Sequence, residues 1–248
     1  MRAILTWHSL DRSGSPISVA PEEFRRQVDW LAASNVQVVG VERLLALPDD
    51  VDAAALTFDD GFANFAAEAA PVLGTFGFAC TMFVVTGHVG GDNRWGGRKD
   101  TRVPTLPLLG WDELAGLRDT GVTLAAHTKT HPRLAALDIG ALEREIGGAA
   151  DEMESRLGSR PAGFAYPYGV SGGAADEVVA REYRWACTTQ LRALGTRERA
   201  HHLPRIDAWY LREPARRAGW GTSQFRAWLW CRRQGRRAGS WLRRASWR

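Results

Sequence analysis

The chain has 248 residues, 45% of them hydrophobic and 24% charged, with a formal net charge of +4; that is enough for one sizeable core in an ordinary globular composition. Three cysteines, Cys80, Cys187 and Cys231, stand far apart without a CxxC spacing, which argues against a disulfide framework or a cysteine zinc site. The charge is uneven: residues 211–248 hold eleven Arg and one Glu, so the other 210 residues sum to −6, and no nucleic-acid partner is expected for the body of the chain.

In chain order, strand-like apolar runs alternate with amphipathic segments. The stretch Met1–Leu10 has too few consecutive apolar residues for a secretory or membrane-spanning segment, so a cytoplasmic location is expected, peripheral at the inner face of the membrane if the tail seeks lipid. Residues Ala3–Trp7 read as a strand, Pro21–Ser34 as a helix and Val36–Val41 as a second strand. Pro21 with Glu22 and Glu23 suits a first helical turn, and Phe24, Val28 and Leu31 recur at helical spacing. The rhythm continues with strand Ala54–Phe58, helix Phe62–Phe76 and strand Phe78–Val85. A long loop rich in Gly, Arg and Pro follows over Gly87–Pro107, a length that is usually functional. Helix Trp111–Asp119, strand Val122–Ala126, helix Ile139–Leu157 and strand Gly163–Ala165 come next. Helix Asp176–Glu182, strand Trp185–Thr189 and the segment Leu203–Ile206 complete the series. About seven such units without a linker predict an α/β fold, a distorted TIM-like (β/α) barrel over residues 1–210, with chemistry at the strand ends.

Three short motifs stand at such ends. Asp59-Asp60-Gly61 follows a strand and puts two carboxylates together, costly without a cation, although an Asp-Gly turn has the same letters. His127 and His131 are four residues apart directly after another strand, a spacing that lets both rings face one point if His131 begins a helical turn. One oxygen and two nitrogen donors suit zinc or a similar transition ion such as Co2+ or Ni2+. Tyr166-Pro167-Tyr168-Gly169 ends a third strand in a turn that could aim backbone N–H groups.

Together these motifs resemble the polysaccharide deacetylases, carbohydrate esterase family 4 or NodB-homology domain, over roughly residues 3–210. The resemblance rests on Thr57-Phe58-Asp59-Asp60-Gly61, on His127-Thr128-Lys129-Thr130-His131 and on Tyr166-Pro167-Tyr168-Gly169. It implies a metal held by Asp60, His127 and His131, with Asp59 as general base and the backbone N–H of Tyr168 as oxyanion donor. The implied activity is metal-dependent removal of an N-acetyl or other N-acyl group from an amino sugar in a glycan or glycolipid.

The sequence also departs from that family's pattern. An Arg usual at the start of the third motif is replaced by Ala165-Tyr166, so the ion pair that it makes with the catalytic Asp is expected to be missing. Tyr166 could supply a hydroxyl or pack as an aromatic. The late-strand His that serves as general acid is absent from Leu203-Pro204-Arg205-Ile206-Asp207. His8, ending the first strand, is the preferred replacement over His201 and His202. Arg205 and Asp207 either brace the site as a pair or flank a strand. Tyr166, Pro167, Trp95 and Arg205 are expected to contact substrate, with Arg98 beside Trp95 in the long loop; Trp185 is expected only to pack. A catalytically impaired carbohydrate-binding barrel is the alternative function.

Residues 211–248 interleave Trp and Arg. Phe225, Trp228 and Leu229 share one helical face and Ala238, Trp241, Leu242 and Ala245 another, with Gly235 and Gly239 weakening the join. Short amphipathic pieces of this kind suit an anionic membrane surface, and a last helix packed on the body is the competing expectation.

Overall fold

The computed structural model describes residues 1–95 and 102–245, with side chains up to residue 236. Its strands are β1 (Arg2–Trp7), β2 (Ser9–Leu10), β3 (Ser18–Val19), β4 (Gln37–Val38), β5 (Ala53–Phe58), β6 (Cys80–Val84), β7 (Val122–Ala126), β8 (Gly163–Ala165), β9 (Trp185–Cys187) and β10 (Ile206–Asp207). Seven of them form a parallel sheet in the order β10-β1-β5-β6-β7-β8-β9; β4 pairs with the start of β5, and β2 and β3 pair with each other outside the sheet. Leu203 pairs with Cys187 of β9 while Ile206 pairs with Leu5 of β1, so one segment bridges the two edges of the distorted barrel.

The strands' side-chain alternation builds two cores. Ile4, Ala53, Ala55, Ala125, Ala165, Cys187 and Leu203 belong to an inner cluster with Phe83 and Trp185, and four of these are alanines, as a narrow interior requires. Ala3, Leu5, Trp7, Ala54, Leu56 and Phe58 belong to an outer cluster under the helices. Gly163 is required beside the inner cluster, because a Cβ would overlap the Trp185 ring; Trp185 is a packing residue, buried with its edge on Phe83.

The helices are α1 (Pro21–Ala33), α2 (Val41–Ala46), α3 (Asn64–Glu68), α4 (Ala70–Thr75), α5 (Trp111–Arg118), α6 (Ile139–Leu157), α7 (Ala174–Glu182), α8 (Pro214–Ala218) and α9 (Ser223–Ala245). Three differ from the sequence reading. The expected strand Val36–Val41 shrinks to β4 and gives way to α2 at Val41. The expected helix Phe62–Phe76 breaks into α3 and α4 at Ala69, since Pro71 in the first turn of α4 lacks an N–H and its ring crowds the preceding turn. The tail is not a set of short pieces: α9 runs unbroken through Gly235 and Gly239. The body's core also runs past residue 210, with Leu211, Phe225 and Leu229 buried in it and Arg217 paired to Glu23 of α1 at 2.7 Å. Among the described residues no helix is long and apolar enough to cross a membrane.

Candidate metal centre

The inward parity of the strands carries over into the residues that follow them. Ala53 and Ala55 lead to Asp59, Ala125 to His127, Ile4 to Thr6 and His8, and Leu203 to Arg205, all in steps of two. Asp60 has the opposite parity, and its φ of 74° turns the chain so that both neighbouring carboxylates reach the same cavity. Among the described residues the non-glycine positions with positive φ are Asp60, Thr128 (67°), His131 (57°) and Tyr168 (59°). All four lie in the three motif loops, so the backbone strain is concentrated where the chemistry was expected.

The three expected ligands converge. Asp60 Oδ1 lies 3.6 Å from Nε2 of His127 and 3.6 Å from Nε2 of His131, and one donor atom from each residue fits within 4.8 Å of the others. His131 stands in a left-handed turn, not at the start of a helix, and its N–H donates to Thr128 Oγ1 at 3.0 Å. Glu145 of α6 pins the loop by accepting from the Thr130 N–H and hydroxyl at 2.8 and 2.6 Å. His127 Nδ1 donates to the Ala165 carbonyl at 2.7 Å, which leaves the Nε2 lone pair facing Asp60.

The electrostatics favour a cation there. Burial pushes the pKa of His127 down against the pull of Asp59 and Asp60, and burial followed by the neighbouring His127 pushes that of His131 well down. Both rings are therefore neutral donors. Burial also raises Asp60, and its Oδ1 is buried without a hydrogen-bond partner. An orphaned carboxylate oxygen facing two neutral imidazoles is a donor set that fits a zinc-type ion.

Asp59 is held differently. Arg205 Nη1 and Nη2 meet its two oxygens at 2.5 and 2.8 Å, while Arg205 also donates to Thr6 Oγ1 at 3.1 Å and to the Thr188 carbonyl at 3.0 Å. Burial works against the ionised Asp59, but Arg205, then His8 and His127, outweigh it and hold its carboxyl well below the usual range. The ion pair expected to be missing is thus made by a different residue. Arg205 itself is 2% exposed and sits behind Asp59, which corrects the expected substrate contact; of the two readings for Asp207, the flanking one fits, since its Oδ1 accepts from the Trp209 N–H at 2.9 Å.

A cavity of about 830 Å³ opens over these groups. His8 lines it, with Nε2 3.6 Å from Asp59 Oδ2. His201 and His202 are engaged elsewhere, on the Tyr183 carbonyl and on Asp176, both at 2.9 Å. Trp95 lies over His131 with ring centroids 4.7 Å apart, and Tyr168 meets His131 from another side at 4.7 Å. Gly169 allows that turn to pass Thr189, where a Cβ would clash. Tyr166 reaches the cavity wall but is fully buried between Phe164 and His202, and burial with Asp176 pushes its hydroxyl pKa up. Pro167, expected at the substrate, is buried in the turn and does not line the cavity. Arg98 lies outside the described residues.

Sequence reasoning missed several wall residues. Pro16 and Ile17 come from the loop before β3, and Asn93 and Arg94 from the long loop. Arg133 has its guanidinium 4.5 Å above the Tyr168 ring. Its position two residues after His131 was the one available signal.

The polysaccharide deacetylase family model matches residues 47–183. A curated protein of Bacillus subtilis (strain 168), YxkH, described as a candidate polysaccharide deacetylase, is 23% identical over 171 residues, which is 67% of this chain and 56% of that protein. The chain thus spans little more than half the length of this relative. Among solved structures, IcaB from Ammonifex degensii superposes with a TM-score of 0.73 at 21% identity, covering 92% of this chain and 96% of that one. The Streptococcus pyogenes deacetylase PplD, solved in complex with acetate, gives 0.70 at 22% identity, over 83% of this chain and 91% of that one. At these identities the likeness concerns the fold.

Proposed function

The chain belongs to the polysaccharide deacetylase family, and from that premise we propose that it is a metal-dependent hydrolase that removes N-acetyl or related N-acyl groups from an amino sugar. One observation carries the reading. Two adjacent buried carboxylates have divided partners: Asp60 Oδ1 faces two neutral imidazoles, and Asp59 is clamped by Arg205.

Asp60, His127 and His131 would hold the ion, most suitably Zn2+, with Co2+ or Ni2+ as related fits. Bound there, such an ion would polarise the scissile amide carbonyl and acidify an attacking water. Asp59, kept ionised by Arg205, accepts the water's proton at a carboxylate oxygen. Arg205 fixes the direction of that carboxylate without touching substrate. His8, at the cavity wall beside Asp59, donates a proton to the departing amine. The Tyr168 N–H, presented by its left-handed turn, stabilises the developing oxyanion, and Trp95 offers a face for a sugar ring.

The substrate is an oligosaccharide, a polysaccharide or a lipid-linked glycan. The lipid-linked form, met at the inner face of a membrane, is the one that an attachment of the basic tail to anionic lipid favours. The test is to incubate the metal-loaded protein with acetylated amino-sugar oligomers and to measure acetate and free amine. Equal release of both is expected. Sugar binding without acetate release would favour the carbohydrate-binding barrel.

A further inference from the structure

The last quarter of the molecule presents a surface that the deacetylase chemistry does not use. Trp209 lies two residues past the end of β10 and is 41% exposed, with the Arg212 guanidinium 3.8 Å from its ring centroid. In α9, Trp228 is half-buried and flanked by Arg216 at 4.3 Å and Arg232 at 5.7 Å. Trp230 is 60% exposed.

The course of α9 follows from its contacts. It begins just after Gly221, whose position is close to Met1 and Asp52, at the starting ends of β1 and β5. By Trp228 it has reached Tyr210, just after β10, with rings 5.7 Å apart. The helix therefore climbs from the strand starts to the strand ends, the side on which the cavity opens. Phe225 and Leu229 on its inner face are buried, whereas Arg232 and Arg236, next on that face at helical spacing, are exposed. Arg233 and Gln234 beside them are half-buried, and the helix continues to Ala245.

We infer that Trp209, Arg212 and the C-terminal half of α9, with exposed Trp230, Arg232 and Arg236, form a docking surface for a bilayer containing anionic lipid, which turns the cavity mouth toward the membrane. Charge complementarity carries the choice of partner. Residues 211–248 hold eleven Arg and a single Glu, and among the described residues Arg212, Arg226, Arg232 and Arg236 make no ion pair with a carboxylate. Exposed tryptophans interleaved with arginines match the interface of such a bilayer, where the indole seats at headgroup depth and the guanidinium meets lipid phosphate. Duplex nucleic acid matches the charge but offers no apolar interface to protruding indoles. The docking surface stands independently of the deacetylase reading; only its consequence, access to a lipid-linked glycan, rests on that reading.

The test is flotation of the full chain with phosphatidylcholine vesicles, with and without phosphatidylglycerol. Two variants accompany it, Arg212→Glu/Arg226→Glu/Arg232→Glu/Arg236→Glu and Trp209→Ser/Trp230→Ser, with circular dichroism and acetate release from a water-soluble oligomer as folding controls. The wild type is expected to float with the anionic vesicles alone and to be released by salt. Charge reversal is expected to lower partitioning by about tenfold or more, and the Trp variant to weaken it while salt sensitivity persists. Equal flotation with neutral vesicles, no flotation, or wild-type flotation of the charge-reversed chain overturns the inference. So does a gel shift of duplex DNA by a chain that stays off the vesicles. Flotation without acetate release from any glycan would instead sink the deacetylase reading and leave the docking surface standing.

Discussion

Arg205 holds both carboxylate oxygens of Asp59, at 2.5 and 2.8 Å, across 146 positions of sequence. Both side chains are buried and the guanidinium is further occupied by Thr6 and Thr188. A buried pair satisfied in this way is costly to break from one side, because the remaining charge has no solvent to turn to. Replacing Arg205 by Met should lower stability by about 3–5 kcal/mol. The double variant Arg205→Met/Asp59→Asn should recover much of that loss. Denaturant melts of the four chains measure the coupling, and simple additivity would show that the two residues do not act as a pair.

The same pair sets an acid limit. The folded Asp59 carboxyl titrates below its ordinary value of about 3.9, so in acid the unfolded chain binds more protons than the folded one. Its contribution to stability is complete above the unfolded value and is lost as pH falls through that value toward the folded one. Melting temperatures taken from about pH 6 to about pH 3 should fall more steeply for the wild type than for Arg205→Met/Asp59→Asn. Parallel curves would remove Asp59 from the acid response.

Much of the site was legible because its ligands lie next to strand ends in contiguous motifs. Asp60, His127 and His131 could be read as a set without knowing which strands are neighbours. Arg205 could not: its partner depends on β10 lying beside β1, and no local signal carries that pairing. The helical reading of His131 failed because a left-handed turn leaves no periodicity to detect. In the fold, the β/α rhythm was visible as alternating apolar runs. Val41–Ala46 is too short to separate from a strand by its pattern, and the break near Ala69 required weighing Pro71 above the apolar spacing around it. The tail helix ran through Gly235 and Gly239, where an intrinsic cost of about 1 kcal/mol per Gly did not stop it.

Ion binding should be visible as stability. Zinc in excess should raise the melting temperature of the wild type, by an amount equivalent to about 4 kcal/mol at a thousandfold excess over Kd. Asp60→Asn and His131→Ala should show little or none of that rise, and a chelator should abolish it. An undiminished shift in both variants would place the ion elsewhere.

The turn after Tyr168 depends on a missing Cβ. Gly169 has a φ of 68° and its would-be Cβ collides with the backbone and side chain of Thr189. Gly169→Ala should cost about 1–3 kcal/mol and should reduce acetate release more than glycan binding, since the turn carries the Tyr168 N–H. Unchanged melting and turnover would show that the turn can move aside freely.

The three cysteines should differ in reactivity. Burial pushes the Cys80 and Cys187 thiols up to about 12, whereas Cys231 is exposed. Maleimide labelling of the native protein near neutral pH should modify Cys231 alone, and all three after unfolding, as read by intact-mass analysis. Rapid native labelling at Cys187 would mean that the barrel interior opens easily.

The central claim is the division of labour between two adjacent carboxylates, and paired assays of zinc binding and acetate release on Asp59→Asn and His127→Ala test it most directly. Asp59→Asn should bind zinc stoichiometrically, like the wild type, while its kcat/KM falls by a factor of about 10²–10⁴. His127→Ala should lose both zinc and turnover. Near-normal turnover by Asp59→Asn, or loss of zinc from that variant, would contradict the assignment.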